Sequence, residues 1–506
     1  MPLVRGYSPS MLGDETRESF FFARHVDGRV ETRGKPQCFL GHLVGDADGV
    51  FARWDWDGSR LRIENDRYGF YPLFYYGRGD EIAVSTSIPQ LLSLGAPTTL
   101  DYGALSIYMR LGFMLAEDTP FTAIRALPPG ATLEWTAGSL SVKGGFWTPR
   151  EQNLGRDAAI DAYICLFRNA IRRRPPAQGD SCVALTGGRD SRHIVFELCE
   201  QDRKPSFCIT TKHFPPRPNE DARVAGEIAQ AVGLKHVVLS QPKDRFAIEL
   251  RKNLMTSFCT DEHQWSLVMA DYLEEKVGCV YDGIGGDVLS RSQLQKKDHL
   301  SYFQTGDFIG LANRFLAVRE PLPRVVPADE HQRMSRDLAV ERLSNELRRH
   351  AESPNPIGSF FFWNRTRREI SLIPYCILRN IDTVFSPYLD RELFDFLSSL
   401  RGSSVVGEDL HTEVIRRAYP KYAHIGFEDP NARPCPDFGF FSGWARKTLQ
   451  YVLKRDSRFV RKRHVVPRLI RCMVDKGYSP SINWLAPLTI YLLQLERLTE
   501  GQETAH

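Results

Sequence analysis

The chain has ten cysteines among its 506 residues (Cys38, Cys165, Cys182, Cys199, Cys208, Cys259, Cys279, Cys376, Cys435 and Cys472), yet no Cys-x-x-Cys pair. Scattered thiols, most of them among apolar neighbours, argue for reduced, packed side chains and against zinc ligation or a disulfide framework. Net charge is nearly lacking as well. Lys and Arg number 66 against 62 Asp and Glu, and the resulting +4 gives no sign of nucleic-acid binding. No apolar run is long enough to cross a bilayer; the strongest, LAPLTIYLLQL near the C-terminus, falls far short. The opening MPLVRGYSPSMLGDETRESF carries acids early and lacks the apolar core of a secretory signal. The expected location is therefore the cytoplasm, away from membranes. Internal repeats and low-complexity tracts are absent, and so are a GxxxxGK[ST] phosphate loop with its lysine and a GxGxxG turn.

What is present reads as two globular domains, over 1–150 and 151–506. In the first, VFARWDWDGSRLRIEND places Asp57-Gly58 between two extended runs, with Leu61 and Ile63 alternating against Arg60, Arg62 and Glu64. PLFYY and EIAVSTS flank Gly77-Arg78-Gly79-Asp80 as a second hairpin, so this half is expected to be antiparallel. After Phe146-Trp147 the polar TPREQNLGRD reads as a linker, and Ile160, Ile164, Phe167 and Ile171 then recur at helical spacing. From SCVAL to GCVYDG, strands and helices alternate, which is the order of a doubly wound parallel sheet. The rest, from about Gln293, reads as mostly helical.

VALTGGRDSRHI, Val183 to Ile194, is the first strand-to-helix turn of that sheet, the place where such folds bind ligands. Gly187 and Gly188 let backbone N–H groups approach an anion at a helix N-terminus, and Thr186 and Ser191 add hydroxyls. Two glycines at a strand end can also be a plain turn. Asp190 is awkward beside phosphate unless a cation intervenes. A second such acid, Asp287, follows Gly283, Gly285 and Gly286 in YDGIGGDVLS, so the two carboxylates are candidate ligands of Mg²⁺.

These motifs resemble those of the asparagine synthetase family. Thr186-Gly187-Gly188-Arg189-Asp190-Ser191 is similar to its SGGxDS pyrophosphate loop, and Gly283-Ile284-Gly285-Gly286-Asp287 to its GxGxD motif. Asn219-Glu220-Asp221-Ala222-Arg223 with Gly233-Leu234-Lys235-His236 resembles its DE..A...A..LG..H segment, and Ser386-Pro387-Tyr388-Leu389-Asp390 its PFLD stretch. In the first half, Gly45-Asp46, Phe51-Ala52, Trp54-Asp55 and Asp66-Arg67-Tyr68-Gly69 with Pro72-Leu73-Phe74-Tyr75 resemble GDFAFALWD and RDRFGxxPLYY. The likeness runs over about residues 40–440.

It implies a degenerate Ntn-hydrolase-like β-sandwich followed by an adenine nucleotide α-hydrolase-like domain with a helical extension. It also implies an ATP-dependent ligase that adenylates a carboxylate, releases pyrophosphate and lets an amine form an amide. Thr186, Gly187, Gly188 and Ser191 would hold pyrophosphate with Gly283, Gly285 and Gly286 beside them. Asp190 and Asp287 would hold Mg²⁺, and backbone near Leu185 and Ile209 would flank adenine.

The chain departs from the family in places. Position 2 is Pro2 where glutaminases of this class place their nucleophilic cysteine, and Cys38 lies in the strand-like QCFLGHLVG. Glutamine is therefore not the expected ammonia source. The same loss occurs in relatives that use an amine already on their substrate, including β-lactam synthetases and lasso-peptide cyclases. The residue that is acidic in asparagine synthetases and tyrosine in β-lactam formers is Ile284, and the acid expected four residues before Pro387 is Thr383, with Asp382 beside it. In the late RxKxGF motif His424 stands in the lysine's place and Lys421 one turn earlier. Lys421, His424 and Asp382 are the candidate catalytic groups, with surface loop residues as the alternative for the first two.

The favoured substrate is a peptide closed to a macrolactam, with a leader-binding protein or protease as possible partner. Amidation of a sugar acid or another metabolite, adenylation of a tRNA base and a non-catalytic scaffold are the rival readings. Further candidates are His193, Arg189 and Arg192 beside the loop, and His263 and Trp265 in DEHQWS. The aromatics Phe360 to Trp363 suit a pocket or a helix core. The basic run of Lys454, Arg455, Arg458, Arg461, Lys462, Arg463, Arg468 and Arg471 suits a solvated face or an acidic partner.

Overall fold

The computed structural model describes residues 19–45, 48–176, 180–291, 295–316, 322–406, 408–429, 431–454 and 456–503. Pro2, Asp46, Gln293 and Arg455 lie outside the described residues. The N-terminal strands are Phe20–Val26 (β1), Arg29–Gly34 (β2), Gln37–Val44 (β3), Asp48–Trp56 (β4), Leu61–Asn65 (β5), Phe74–Arg78 (β6), Glu81–Ser85 (β7), Arg125–Ala126 (β8), Thr132–Thr136 (β9) and Ser139–Lys143 (β10). Both expected hairpins form: Trp56 pairs with Leu61 across Asp57-Gly58, and Arg78 with Glu81. The strands make two antiparallel sheets, ordered β2-β1-β7-β6-β8 and β10-β9-β5-β4-β3.

Period-two alternation explains how the sheets face each other. Phe21 and Ala23 of β1, Ile82 and Val84 of β7, Trp54 of β4, Leu61 and Ile63 of β5, and Leu133 and Trp135 of β9 share one core between them. The residues between these point the other way in the first sheet. Phe22, Phe74, Tyr76 and Ala83 bury against the helices Ile88–Ser93 and Tyr102–Leu111 and against the C-terminal helices, so this sheet is covered on both faces and its strands read as unbroken apolar runs. Tyr108 stacks on Tyr491 of the helix Ile482–Glu503 at 4.5 Å, joining the chain's last helix to its first domain.

The helix Arg156–Arg172 opens the second domain with Ile160, Ile164, Phe167 and Ile171 all buried. Five strands follow: Ser181–Ala184 (β11), Phe207–Thr211 (β12), His236–Leu239 (β13), Cys279–Tyr281 (β14) and Thr383–Phe385 (β15). All neighbours are parallel, in the order β13-β12-β11-β14-β15. The edge strand β15 lies within the stretch expected to be helical; three residues carry no periodic signal. From β11 the chain winds outward through β12 and β13, then returns to add β14 on the other side. The strand order therefore reverses between β11 and β14, and in doubly wound folds the ligand crevice lies at the carboxyl ends of the strands at such a reversal.

None of the ten cysteines is in a disulfide; six are buried and Cys165 and Cys435 are exposed, so packing accounts for most but not all of them. Among the described residues no helix is long and apolar enough to cross a membrane.

Candidate functional site

The two glycine turns meet at that reversal. The turn after β11 leads into the helix Asp190–Glu200, and the turn after β14 into the short helix Gly286–Ser290. The Asp287 N–H donates to Asp190 Oδ2 at 3.0 Å. A Cβ on Gly283 would sit 2.7 Å from Asp190 Cβ, and one on Gly286 2.7 Å from Asp190 Cγ and Oδ1. These two glycines clear space for the aspartate, a role the bare motif does not reveal. Gly285 has φ +93°, a left-handed conformation that glycine adopts without a steric penalty.

Asp190 Oδ1 is buried with no hydrogen-bond donor. Burial and the neighbouring Asp287 push the Asp190 carboxyl well above its usual range. Burial raises Asp287 too, against the pull of Arg291 and Arg189, and lifts Asp282, which accepts the Ile284 N–H at 2.8 Å, to about 6. Three partly buried carboxylates, one with a bare oxygen, suit a hard divalent cation with oxygen ligands.

The first turn is rich in donors. Thr186 N–H donates to Ser191 Oγ at 3.0 Å, Gly188 N–H to Thr186 Oγ1 at 3.2 Å and Gly187 N–H to Asp221 Oδ1 at 3.1 Å, so each meets an oxygen. Leu185 and Ile209 are wholly buried, and Leu185 is committed within the sheet: its N–H donates to Ile209 O at 2.9 Å and its carbonyl accepts the Thr210 hydroxyl at 2.6 Å.

Arginines supply the positive charge. Arg189 binds Thr412 Oγ1 at 2.6 Å and Asp409 Oδ2 at 2.9 Å, and Arg291 reaches the same Asp409 oxygen at 3.4 Å. Arg192 is buried and donates to the carbonyls of Gly187, Ile425 and Gly426. Both Arg189 and Arg192 lie over the Phe427 ring, at 4.0 and 4.2 Å. Residues 425–428 thus form a strap across the glycine turn. Glu428 packs its Cγ 2.7 Å from where a Gly187 Cβ would be. A hydrogen bond to Asp221 holds the Glu428 carboxyl up to about 8. Asp221 itself is held low by His213, 2.7 Å away, and by Glu428, against its burial.

Other expected residues lie elsewhere. Lys421 is exposed and pairs with Glu200 at 2.5 Å. Glu200 ends the helix that Asp190 begins, so at 1.5 Å per residue Lys421 is about 15 Å along its axis from the aspartate. Asp382 precedes β15, whose first residue pairs with Cys279 and, through it, with Ser181. The parallel register puts it at the amino ends of the strands, opposite the crevice. His424 is exposed beside the strap. Position in a motif misled here because the family lysine and acid are replaced, and nothing local says where the substitutes point.

His193 is wholly buried and stacked on Phe167 at 3.6 Å, the local packing role rather than a phosphate contact. His263 is also buried, pushed by burial to about 3, with Nε2 against Glu369 O at 3.0 Å. Phe360 to Trp363 are core residues; Phe362 and Trp363, with Trp147, also line a cavity of about 20 Å³ next to Val288 and Leu289. His411, Asp221, Phe427 and Glu428 went unnoticed in the sequence as site residues. Asp221 and Phe427 fell inside motifs; His411 and Glu428 did not.

A glutamine amidotransferase domain family matches residues 40–147, and an asparagine synthase family matches residues 164–372. Asparagine synthetase [glutamine-hydrolyzing] 2 of Bacillus subtilis (strain 168) is 26% identical over 258 residues, which cover 46% of this chain and 34% of that protein. The chain spans about a third of the length of this curated relative.

Proposed function

Because the chain belongs to the asparagine synthetase-like family, we propose that it is an ATP-dependent, AMP-forming amide ligase that takes its amine from an organic substrate and not from glutamine. One observation carries the reading: Asp190, with an unsatisfied buried oxygen, meets Asp287 at the strand-order reversal, among backbone donors and two arginines.

In the proposed reaction a substrate carboxylate oxygen bonds to the α-phosphorus of ATP as the bond to the pyrophosphate oxygen breaks. The amine nitrogen then attacks the acyl carbon, AMP leaves with the electron pair, and the amine loses a proton. Asp190 and Asp287 would hold Mg²⁺, which offsets charge on the phosphates. By the resemblance, the N–H groups of Thr186, Gly187 and Gly188 and the Ser191 hydroxyl would turn from their present partners Ser191 Oγ, Asp221 Oδ1 and Thr186 Oγ1 to pyrophosphate, where charge grows as it departs. Arg189 and Arg192 supply the fixed positive charge that Lys421 is too far away to give.

Independence from glutamine is supported within the first domain. Among its described residues Cys38 is the sole cysteine, half-buried on β3, and burial raises its thiol above the usual value, which disfavours the thiolate a nucleophile needs. The seam between domains is filled. Buried Arg367 donates to Leu127 O at 2.8 Å, Arg368 to Asp118 O at 2.9 Å, and Asn364 Oδ1 accepts the Ala116 N–H at 2.8 Å. Such a seam suits a first domain kept as a structural wall. An amine carried by the substrate itself makes macrolactam closure of a peptide the favoured case, as in lasso-peptide cyclases.

The test is to incubate the chain with ATP, Mg²⁺ and the peptides or acids encoded or made beside its gene, and to measure AMP, pyrophosphate and glutamate. AMP and pyrophosphate in equal amounts, lost in Asp190→Ala and Asp287→Ala, are expected. ADP would exclude the mechanism, and glutamate released from added glutamine would exclude the independence.

A further inference from the structure

One guanidinium beside the second glycine turn is left open and has no part in the reaction above. The helix Phe362–Ile370 packs on that turn: the Phe362 ring stands 3.9 Å from where a Cβ on Gly285 would be, two residues before Asp287. From Phe362 to Glu369 every residue is buried except Arg365, whose side chain is 30% exposed. Asn364, Arg367 and Arg368 of the same helix are committed to the first domain. Arg365 thus emerges where an otherwise interior helix meets an opening, and its charge is among those that act on Asp287.

The segment that faces it belongs to the same opening. Arg365 Nη2 lies 3.6 Å from Glu262 Oε2, and Trp265, three residues on, meets the His213 ring at 6.3 Å. His213 binds Asp221 at 2.7 Å, and Asp221 accepts the Gly187 N–H of the first glycine turn. The stretch 262–265 therefore runs from Arg365 to the turn proposed to hold pyrophosphate.

Arg365 is held at one end only. Its Nε is 3.0 Å from Glu369 Oε2, the contact to Glu262 is too long for a hydrogen bond, and Nη1 has no partner among the described residues. Arg189, by contrast, is committed to Thr412 and Asp409, and Arg192 to three carbonyls. Buried Glu369, which accepts the Thr260 hydroxyl at 3.3 Å, fixes the Nε end and leaves the Nη1 and Nη2 edge as a pair of parallel donors for oxygen. Asp261 and Glu262 are exposed beside it, with carboxylate oxygens within 4.8 Å of one another and of Glu369. This acidic surround disfavours a further phosphate and suits an acyl oxygen whose attacking partner is an amine.

We propose that Arg365 is a catalytic residue that binds the acyl oxygen of the adenylated substrate through its open guanidinium edge and holds the negative charge that forms there when the amine attacks. In that step the nitrogen bonds to the acyl carbon as a carbonyl electron pair moves onto oxygen. The pair returns as the bond to AMP breaks, and the proton of the nitrogen goes to solvent. The inference rests on the ligase reading. The probes are AMP and 5′-O-(N-acetylsulfamoyl)adenosine, an unreactive mimic of an acyl-adenylate, titrated calorimetrically into the full-length chain. Arg365→Gln is expected to weaken binding of the mimic about 10- to 150-fold, the worth of a hydrogen bond from a charged group, and to leave AMP binding at the wild-type level. In the wild type, phenylglyoxal is expected to modify Arg365, read by peptide mass spectrometry, and the mimic to protect it where AMP does not.

A folded Arg365→Gln chain that binds the mimic like the wild type overturns the proposal. So does an equal loss of AMP and mimic, which would mark Arg365 as a support of the opening through Glu262 and Glu369. If the glutamine variant does not fold, the modification decides: an Arg365 that fails to react, or that the mimic protects no better than AMP, overturns it. A wild-type chain that binds neither probe removes the ligase reading itself, an outcome distinct from the others.

Discussion

Asp66 and Asp190 are aspartates in motif turns, one in each domain, and their surroundings are opposite. Asp66 is satisfied on every side: Oδ1 accepts from Tyr68 N–H at 2.9 Å, Oδ2 from Tyr71 N–H at 3.1 Å, and Phe70 N–H is shared between them at 3.2 Å. Burial lifts it to about 6 even so. Asp190 has one backbone donor on Oδ2 and none on Oδ1. The first carboxylate organises a turn, whereas the second is left incomplete. What separates a structural acid from a candidate ligand is thus the inventory of donors around it and not motif membership, which the two share.

Exchanging each acid for its amide breaks this comparison in two directions. Asp190→Asn keeps an oxygen for the Asp287 N–H and removes a charge that burial disfavours. It is expected to weaken Mg²⁺-dependent ATP binding by more than about 100-fold, since outer partners alone are worth 10–100-fold, while thermal stability holds or rises. Calorimetric titration with and without Mg²⁺, beside a melting curve, checks both. Asp66→Asn is expected to do the reverse. An amide NH₂ turned toward Tyr71 N–H or Tyr68 N–H leaves a buried donor unmet, costing about 1–3 kcal/mol, while ATP binding by the folded chain stays at the wild-type level. A lowered urea midpoint for the first domain would show it. Equal behaviour of the two variants would mean that the donor inventory carries no information.

How much of this was legible in the sequence follows from the range of each signal. The hairpins were, because Asp57-Gly58 and Gly77-Arg78-Gly79-Asp80 are local turn chemistry between alternating runs. So was the parallel sheet, whose strands and helices alternate in order. The meeting of Asp190 with Asp287 was implied, since two glycine turns at carboxyl ends of neighbouring strands must converge. By contrast, β15 is three residues long, and Tyr388 and His411, which lie beside Asp190, arrive from far along the chain through long-range packing. Lys421 misled because one helical turn of sequence separation says nothing about which end of a neighbouring helix it faces.

The strap over the glycine turn sharpens the comparison from a third side, with a smaller effect. Phe427→Ala removes the ring under Arg189 and Arg192, contacts worth about 0.5–2 kcal/mol. It should speed proteolytic cleavage within residues 424–437 several-fold, with the rest of the chain unaffected.

The smallest expected effect is one of pH. Glu428 shares its proton with Asp221 and loses it near pH 8 in the folded chain, against 4.5 for an ordinary glutamate. Between those values the native strap holds a proton that the open strap releases, so closure weakens as pH rises from about 4.5 and levels off above 8. Asp221, held below its ordinary value, contributes at full strength throughout that window and loses its contribution only in stronger acid. Glu428 is half-exposed, so solvent screening keeps the change in strap opening below about tenfold. Amide hydrogen exchange at Gly426 and Phe427, corrected for intrinsic rates, should show the rise between pH 5 and 8. In Glu428→Gln the amide N–H donates to Asp221 at every pH, and the corrected exchange should be flat. A slope that survives in the glutamine variant would locate the titrating group elsewhere, and the acid pair would then be no more a latch than Asp66 is a ligand.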